Sequence, residues 1–229
     1  MPEVGWGRDV AAACSGFVRR HGLRLALLFG GMLLPLWGFL ELADEVHEAE
    51  AIPFDEPLLL YAQSLASERL DRVFVLFSRI GYGWGVVPVD IGLVLVLLAL
   101  RRFRQGLFVA VATGGSALLN LATKRLFSRD RPALWDSIAP EATYSFPSGH
   151  AMGSMTLALV LVLLAWPTRL RWWVVAAMLV FVPMVGMSRV YLGVHYPSDI
   201  LAGWAAAALW TVGAYLLLRR GGGVGPGLR

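Results

Sequence analysis

Three short motifs contain the residues of this chain whose types and spacing could do chemistry. They are Lys124 with Arg131-Pro132 seven residues later, Pro147-Ser148-Gly149-His150, and Ser188-Arg189 followed by His195 and Asp199. Together they supply two imidazoles, one carboxylate, three cations and a Ser-Gly turn. Such a set can bind a phosphate and transfer it without a metal. The motifs therefore predict phosphate chemistry.

The three cations of these motifs are suited to hold a phosphate dianion. Lys124 and Arg131 lie seven residues apart, which is about two turns if a helix continues through Lys124, so both could face one direction. Arg189 supplies the third cation. A guanidinium matches two phosphate oxygens, whereas an ammonium acts as a point charge. Arg125 and Arg129 fall outside this spacing, and we expect them to anchor to lipid headgroups.

Both motif histidines stand where an apolar segment begins. Ser148 is a favourable N-cap and Gly149 lets a ligand approach the backbone, so this turn predicts an anion site with His150 beside it. Asp199 follows His195 by four residues and can fix the tautomer of its imidazole, which leaves the other nitrogen free to attack phosphorus. The residues alone do not decide which histidine attacks.

The composition is that of a membrane protein. The chain is 57% hydrophobic and 16% charged, whereas soluble domains are about 45–50% apolar and about 25% charged. Its net charge of +4 does not indicate nucleic-acid binding, because the basic residues cluster at the ends of apolar segments. Six such segments predict an all-α membrane bundle of six transmembrane helices, at about 23–42, 86–100, 106–123, 149–166, 172–187 and 198–218.

Six spans place both termini on one side of the membrane. Arginine clusters on that side identify it as the cytoplasm: Arg19-Arg20-Arg24, Arg101-Arg102-Arg104, Arg169-Arg171 and Arg219-Arg220. The loop 124–147 is then outside despite its cations, which favours anion binding there. We expect a cytoplasmic leader at 1–22, one six-span domain at 23–220 and a disordered tail at 221–229.

Two further features lie outside the motifs. The outer segment 41–80 is acidic at first and then mixes apolar and charged residues at helical spacing, which predicts an interfacial helix or helix pair. Asp90 falls within the second span, where a carboxylate is costly. We expect it to have a structural partner in a neighbouring span, the alternative being that it lines a cleft near the site.

The three motifs resemble the signature of the type 2 phosphatidic acid phosphatase and haloperoxidase superfamily, specifically its membrane lipid phosphatase branch. That signature reads K-x6-R-P, P-S-G-H and S-R-x5-H-x3-D, and this chain matches every fixed position within 124–199. The resemblance implies a helical bundle that hydrolyses phosphate esters with no metal and no cofactor.

The resemblance also implies a role for each matched residue. His195 is expected to be the nucleophile that forms a phosphohistidine, Asp199 its orienting partner and His150 the general acid on the leaving oxygen. The remaining matches are expected to form the phosphate clamp, namely Lys124, Arg131, Arg189 and the Ser148-Gly149 turn.

These expectations combine into a function. The chain is expected to hydrolyse a terminal phosphate of a lipid at the outer face of a bacterial-type inner membrane, with the bilayer and the lipid as its partners. Undecaprenyl diphosphate, phosphatidylglycerophosphate, phosphatidate and diacylglycerol diphosphate all fit, with a modest preference for the polyprenyl carrier. One alternative is a lipid phosphotransferase with the same site. The other, an anion transporter, is disfavoured because spans three to six carry almost no polar residues between their ends.

Overall fold

The computed structural model describes residues 22, 25 and 28–220, with side chains to residue 218. The predicted leader, except for its last residue, and the predicted tail lie outside the described residues. The described part is all-helical and contains no strand, which confirms the predicted fold class at that level. A π-helical turn at Phe29–Leu33 leads into eight helices: α1 (Leu34–His47), α2 (Asp55–Ser64), α3 (Glu68–Ile80), α4 (Val86–Ala99), α5 (Phe103–Phe127), α6 (Gly149–Ala165), α7 (Arg171–Tyr191) and α8 (Pro197–Arg220).

Three of these helices are long and apolar enough to cross a membrane: α5, α7 and the Pro197–Leu218 part of α8. Helices α4 and α6 are also apolar but have only 14 and 17 residues. At 1.5 Å per residue they are about 21 and 26 Å long, both shorter than the ~30 Å hydrocarbon core. The chain is therefore a membrane protein with three clear spanning candidates, and six spans with cytoplasmic termini stay a prediction.

Three helices run past the apolar segments that predicted them by at least one turn. Helix α1 continues to His47, five residues beyond the predicted end of the first span. Helix α5 continues to Phe127 and α7 to Tyr191, each four residues beyond the predicted end. The apolar pattern stops early because the added turns carry Lys124 and Arg189, which are charged but buried within the bundle, at 8% and 1% exposure. These site residues are thus carried on rigid helix ends.

The outer segment forms the predicted helix pair, α2 and α3. Ser67 is the N-cap of α3, and its hydroxyl accepts a hydrogen bond from the amide of Leu70 at 3.5 Å. The Phe74 ring of α3 packs on the Tyr191 ring of α7, with 4.4 Å between centroids. The pair is therefore attached to the bundle next to the end of α7, while its position at a membrane surface stays a prediction.

The starts of α6 and α8 approach each other closely. The amide of Ser148 donates to the carbonyl of Asp199 at 3.1 Å. On the next turn of α8, a Cβ added to Gly203 would lie 2.9 Å from the carbonyl oxygen of Ser148, so only glycine permits this approach. This contact fixes the start of α6 against α8 and brings the motifs of both helices to one place.

Candidate active site

His195 is fully buried in the turn between α7 and α8. Its Nδ1 lies 3.3 Å from Oδ2 of Asp199, which also accepts the amide of Tyr196 at 2.9 Å. Its Nε2 lies 3.1 Å from Nη1 of Arg131, a group that can only donate. This geometry fits a proton on Nδ1 and a lone pair on Nε2, the tautomer that a nucleophilic imidazole needs.

Burial lowers the pKa of His195 to about 4. The hydrogen bond and charge of Asp199 act in the opposite direction, and Arg131 and Arg189 lower the pKa further. The net result is an imidazole that is neutral at pH 7, even though it contacts a carboxylate.

Arg129 does not anchor to lipid, and our expectation for it was wrong. Its guanidinium pairs with Oδ1 of Asp199 at 2.6 Å and with Oδ2 of Asp55 at 2.9 Å, and it lies 4.0 Å above the ring of Tyr196. Burial alone would lower the pKa of Arg129, but the two carboxylates raise it above the ordinary value. Arg129 thus holds Asp199 from the side opposite His195. No spacing rule links it to Asp55, which is 74 residues away.

The side chains of four motif residues surround the carboxylate of Glu141. Its Oε2 lies 2.7 Å from Nη2 of Arg131 and 3.9 Å from Nε2 of His195. Its Oε1 pairs with Arg189 and lies 3.6 Å from Nδ1 of His150. The structure thus brings together two histidines and two arginines from distant parts of the chain. They form one site for an anion, which the protein's own carboxylate occupies.

The sequence motifs gave no indication of Glu141. It is one of three acidic residues in the loop 124–147, and no helical spacing distinguishes it from the other two. Burial raises its pKa, but the charge of Arg189, followed by those of His150, His195 and Arg131, brings the pKa below the ordinary value. Glu141 is therefore ionised, and its two carboxylate oxygens carry negative charge as the oxygens of a bound phosphate would.

Lys124 and Arg131 lie close together, and both donate to the hydroxyl of Thr143, but they do not lie on one continuous helix as predicted. Helix α5 ends at Phe127 and Ser128 is left-handed, with φ of 47°, so Arg131 lies in the following loop and not two helical turns after Lys124. Carbonyls of Thr143 and Val194 hold its guanidinium at 2.6 and 2.5 Å.

Lys124 lies beside the anion site and not in it. Its ammonium donates to the carbonyl of Tyr144 and to the hydroxyl of Thr143, the latter at 3.3 Å. It also lines a polar cavity of about 570 Å³ together with Arg125, Arg131 and Glu141. That cavity is large enough to admit a charged headgroup next to the site.

Arg189 is positioned by the outer helix pair. It is 1% exposed, and its Nη1 donates to the hydroxyl of Ser78 on α3. The Ser78 contact was not predicted, because nothing in the sequence indicates that α3 packs on the end of α7. The segment 41–80 therefore contributes directly to the site.

The Ser148-Gly149 turn lies at the start of α6, as predicted. Ser148 is the N-cap, and its hydroxyl accepts from the amide of Ala151 at 3.5 Å. Asn120 of α5 donates to the carbonyl of Pro147 at 3.0 Å, and a Cβ on Gly149 would lie 3.0 Å from the Asn120 side-chain oxygen. Asn120, which the motifs did not indicate, thus connects α5 to this turn.

Asp90 lacks the structural partner that we expected. Its Oδ1 is buried without a hydrogen-bond partner, and the residue lines a cavity between α4, α5 and α6. The polar residues of α5 in that cavity are Thr113, Ser116 and Asn120. Span three is therefore less apolar between its ends than the argument against a transporter assumed.

Comparisons with known proteins identify the family of this chain. The sequence model of the PAP2 superfamily matches residues 105–221, about half of the chain and all three motifs. Phosphatidylglycerophosphatase B of Bacillus subtilis is 28% identical over 176 residues, which cover 75% of this chain and 86% of the relative. An undecaprenyl-diphosphatase of Sulfolobus acidocaldarius is 30% identical over 141 residues, which cover 59% of this chain and 64% of the relative.

The fold has a counterpart among solved structures. The crystal structure of a transmembrane PAP2 type phosphatidylglycerolphosphate phosphatase from Bacillus subtilis superposes with a TM-score of 0.68 at 26% identity. The superposition covers 82% of this chain and 94% of that one. The similarity therefore includes helices outside the region that the family model matches.

Proposed function

The chain belongs to the PAP2 superfamily, and from this premise we propose that it hydrolyses the terminal phosphate of a lipid phosphate or diphosphate through a phosphohistidine, at the outer face of a bacterial-type inner membrane. One observation supports this most strongly. The guanidinium groups of Arg131 and Arg189 and the imidazoles of His150 and His195 converge on a single carboxylate, that of Glu141.

In the proposed complex the substrate phosphate takes the place of the Glu141 carboxylate. Arg131 and Arg189 then bind its oxygens, and each charge-assisted hydrogen bond contributes about 1.5–3 kcal/mol. Lys124 and the Ser148-Gly149 turn complete the clamp from the cavity side and the helix start. The same cations stabilise the charge that builds on the equatorial oxygens during transfer.

The reaction then has two steps. The lone pair on Nε2 of His195 forms a bond to phosphorus while the bond to the ester oxygen breaks, and that oxygen takes the bonding pair and a proton from His150. A water molecule next gives a proton to His150 and attacks phosphorus, which breaks the P–N bond and releases inorganic phosphate. Asp199 stabilises the imidazole of His195 throughout.

The substrate is proposed only as a class. The two relatives described above are named for different lipids, phosphatidylglycerophosphate and undecaprenyl diphosphate. Phosphate release from detergent-solubilised protein should therefore be measured with both, and with phosphatidate and diacylglycerol diphosphate. Recovery of the phosphate in a second lipid, instead of as inorganic phosphate, would identify a phosphotransferase.

The test of the mechanism is His195→Ala. We expect it to abolish turnover and the alkali-stable, acid-labile phosphoenzyme, while EDTA leaves the wild-type rate unchanged. His47→Ala is the matched control, because His47 is exposed at the end of α1 and should be dispensable. Turnover by His195→Ala, or loss of wild-type activity in EDTA, contradicts the proposal.

A further inference from the structure

Asp55, the first residue of α2, is a buried carboxylate that the proposed mechanism does not use. It is 2% exposed, and both of its oxygens have partners. Its Oδ1 accepts the amide of Ser198 at 2.9 Å. Its Oδ2 accepts the hydroxyl of Ser198 at 2.5 Å and pairs with Arg129 at 2.9 Å. A buried charge whose hydrogen bonds are all made fixes the geometry of its partners, and both of these partners adjoin Asp199.

The bond from the Ser198 amide to Asp55 fixes the start of α8. The first amides of a helix have no carbonyl partner within that helix, and the helix dipole favours a carboxylate beside them. Ser198 is the second residue of α8, and Asp55 supplies the missing acceptor from 143 residues away. Because Asp199 is the next residue, the position of its backbone depends on α2.

The ion pair of Asp55 with Arg129 acts on the carboxylate of Asp199. Nη1 of Arg129 donates to Oδ1 of Asp199 at 2.6 Å, while Nη2 donates to Asp55. Because a guanidinium is planar and rigid, the bond to Asp55 sets the direction from which Nη1 reaches Asp199. With Oδ1 held in this way, Asp199 presents Oδ2 to Nδ1 of His195, 3.3 Å away. A chain of three contacts thus connects α2 to the imidazole that attacks phosphorus.

We propose that Asp55 is a positioning residue for the reaction, which acts through Arg129 and Asp199 to hold the nucleophilic imidazole in its attacking orientation. This inference rests on the proposed function. Among the described residues, the side-chain hydrogen bonds and ion pairs of Asp55 go to Ser198 and Arg129, and none goes to the phosphate clamp. Loss of the Asp55 charge should therefore slow the attack on phosphorus and leave the binding of phosphate unchanged.

The test measures kcat and the inhibition constant of inorganic phosphate in Asp55→Asn. We expect kcat to fall about 10- to 100-fold, as for a small misplacement of a reacting group, while the inhibition constant keeps its wild-type value. Asparagine has the shape of aspartate and its oxygen can still accept the Ser198 amide, so the start of α8 should be retained. Glu56→Gln is the matched control, because it removes the same charge from the next residue, which is exposed, and should keep the wild-type kcat.

A double-mutant cycle distinguishes positioning from a general loosening of the protein. Arg129→Gln breaks the link to Asp199, so the addition of Asp55→Asn should lower kcat no further. The inference is overturned if the two losses multiply, if Asp55→Asn keeps the wild-type kcat, or if its inhibition constant rises as kcat falls.

Thermal unfolding in detergent shows whether Asp55→Asn is folded. If it is not, Ser198→Ala takes its place, because the Ser198 hydroxyl accepts from Arg129 at 2.8 Å and donates to Asp55. We then expect a severalfold fall in kcat at an unchanged inhibition constant, and a wild-type kcat overturns the inference. Absence of phosphate release from every lipid in the wild type would instead refute the proposed function.

Discussion

Glu141 occupies the position that a phosphoryl group must take, and this creates competition within the site. Its carboxylate pairs with Arg131 and Arg189 and approaches both histidines. In Glu141→Gln the charge is lost and the cations have no anionic partner of their own. We therefore expect the inhibition constant of inorganic phosphate to fall about tenfold. This corresponds to a gain of about 1.4 kcal/mol in binding free energy.

Competitive inhibition of lipid hydrolysis by phosphate measures this effect. Asp136→Asn is the control, because it removes one negative charge from an exposed position in the same loop. If the inhibition constant falls by the same factor in both variants, the cause is the change in net charge. It is then not the removal of the Glu141 carboxylate from the phosphate position. A weaker binding of phosphate to Glu141→Gln would show that Glu141 supports the site instead of competing for it.

The pKa of His195 predicts an unusually low acid limit for activity. The nucleophile must be neutral, and burial lowers its pKa to about 4, so protonation removes the lone pair only as the pH falls through about 4. For the wild-type enzyme we therefore expect protonation of His195 to reduce kcat/KM only as the pH falls through about 4. The limb should move to still lower pH in Asp199→Asn, because Asp199 raises the pKa of His195.

Asp199→Asn should also reduce the rate at pH 7 by about 10²–10⁴-fold, since the tautomer is no longer fixed. The substrate phosphate titrates identically in both enzymes, so the difference between their profiles reports the histidine. A shift of the acid limb to higher pH in the variant, or no shift at all, would contradict this prediction.

At the residue scale, the motifs predicted which groups meet but not what holds them. His150, His195, Arg131 and Arg189 converge, as the motif spacing and the common end of the helices indicated. Glu141, Arg129 and the Asp55 carboxylate could not be predicted, because their contacts join parts of the chain that have no fixed spacing. Local sequence patterns indicate helix faces and caps. Ion pairs between residues 70 or more positions apart in the sequence form only when the helices pack.

At the scale of elements, the site depends on how closely α8 approaches the start of α6. An added Cβ at Gly203 would lie 2.9 Å from the backbone oxygen of Ser148, which cannot rotate away. We expect Gly203→Ala to separate the two helices, destabilise the protein by about 1–3 kcal/mol and reduce phosphate release. Thermal unfolding in detergent and the hydrolysis rate measure both effects.

Gly213→Ala is the matched control on the same helix. Its added Cβ would meet only the methyl group of Met32, at 4.0 Å, so the substitution has room. It should raise stability by up to about 1 kcal/mol, because alanine favours the helix and restricts the unfolded chain. Equal responses of the two variants would show that the close approach at Gly203 does not matter.

The helices themselves could be predicted from the apolar pattern, but only some of their ends could. The predicted spans 86–100 and 149–166 agree with α4 and α6 to within one residue. Helices α5 and α7 extend further because buried charged residues interrupt the hydropathy signal without interrupting the helix. The loop position of Arg131 was missed because the left-handed Ser128, where α5 ends, is not a glycine and so gives no sequence signal of a helix end.

At the scale of the whole molecule, the arrangement of helices places the anion site and the loop between α6 and α7 at opposite ends of α6. Asp136 lies in the loop that carries Glu141, and Thr168 lies beyond the other end of this 17-residue apolar helix. Both residues are exposed. Arg169 and Arg171 follow Thr168 directly, and the positive-inside rule therefore predicts that this end lies in the cytoplasm.

Cysteine labelling tests this orientation directly, because Cys14 is the only cysteine and Cys14→Ser gives a background without thiols. In spheroplasts, a membrane-impermeant maleimide should label Asp136→Cys at once and Thr168→Cys only after the membrane is permeabilised. Phosphate release by each variant confirms that the labelled protein is folded. The opposite labelling pattern would place the clamp in the cytoplasm, so that a lipid phosphate on the outer leaflet could not reach His195.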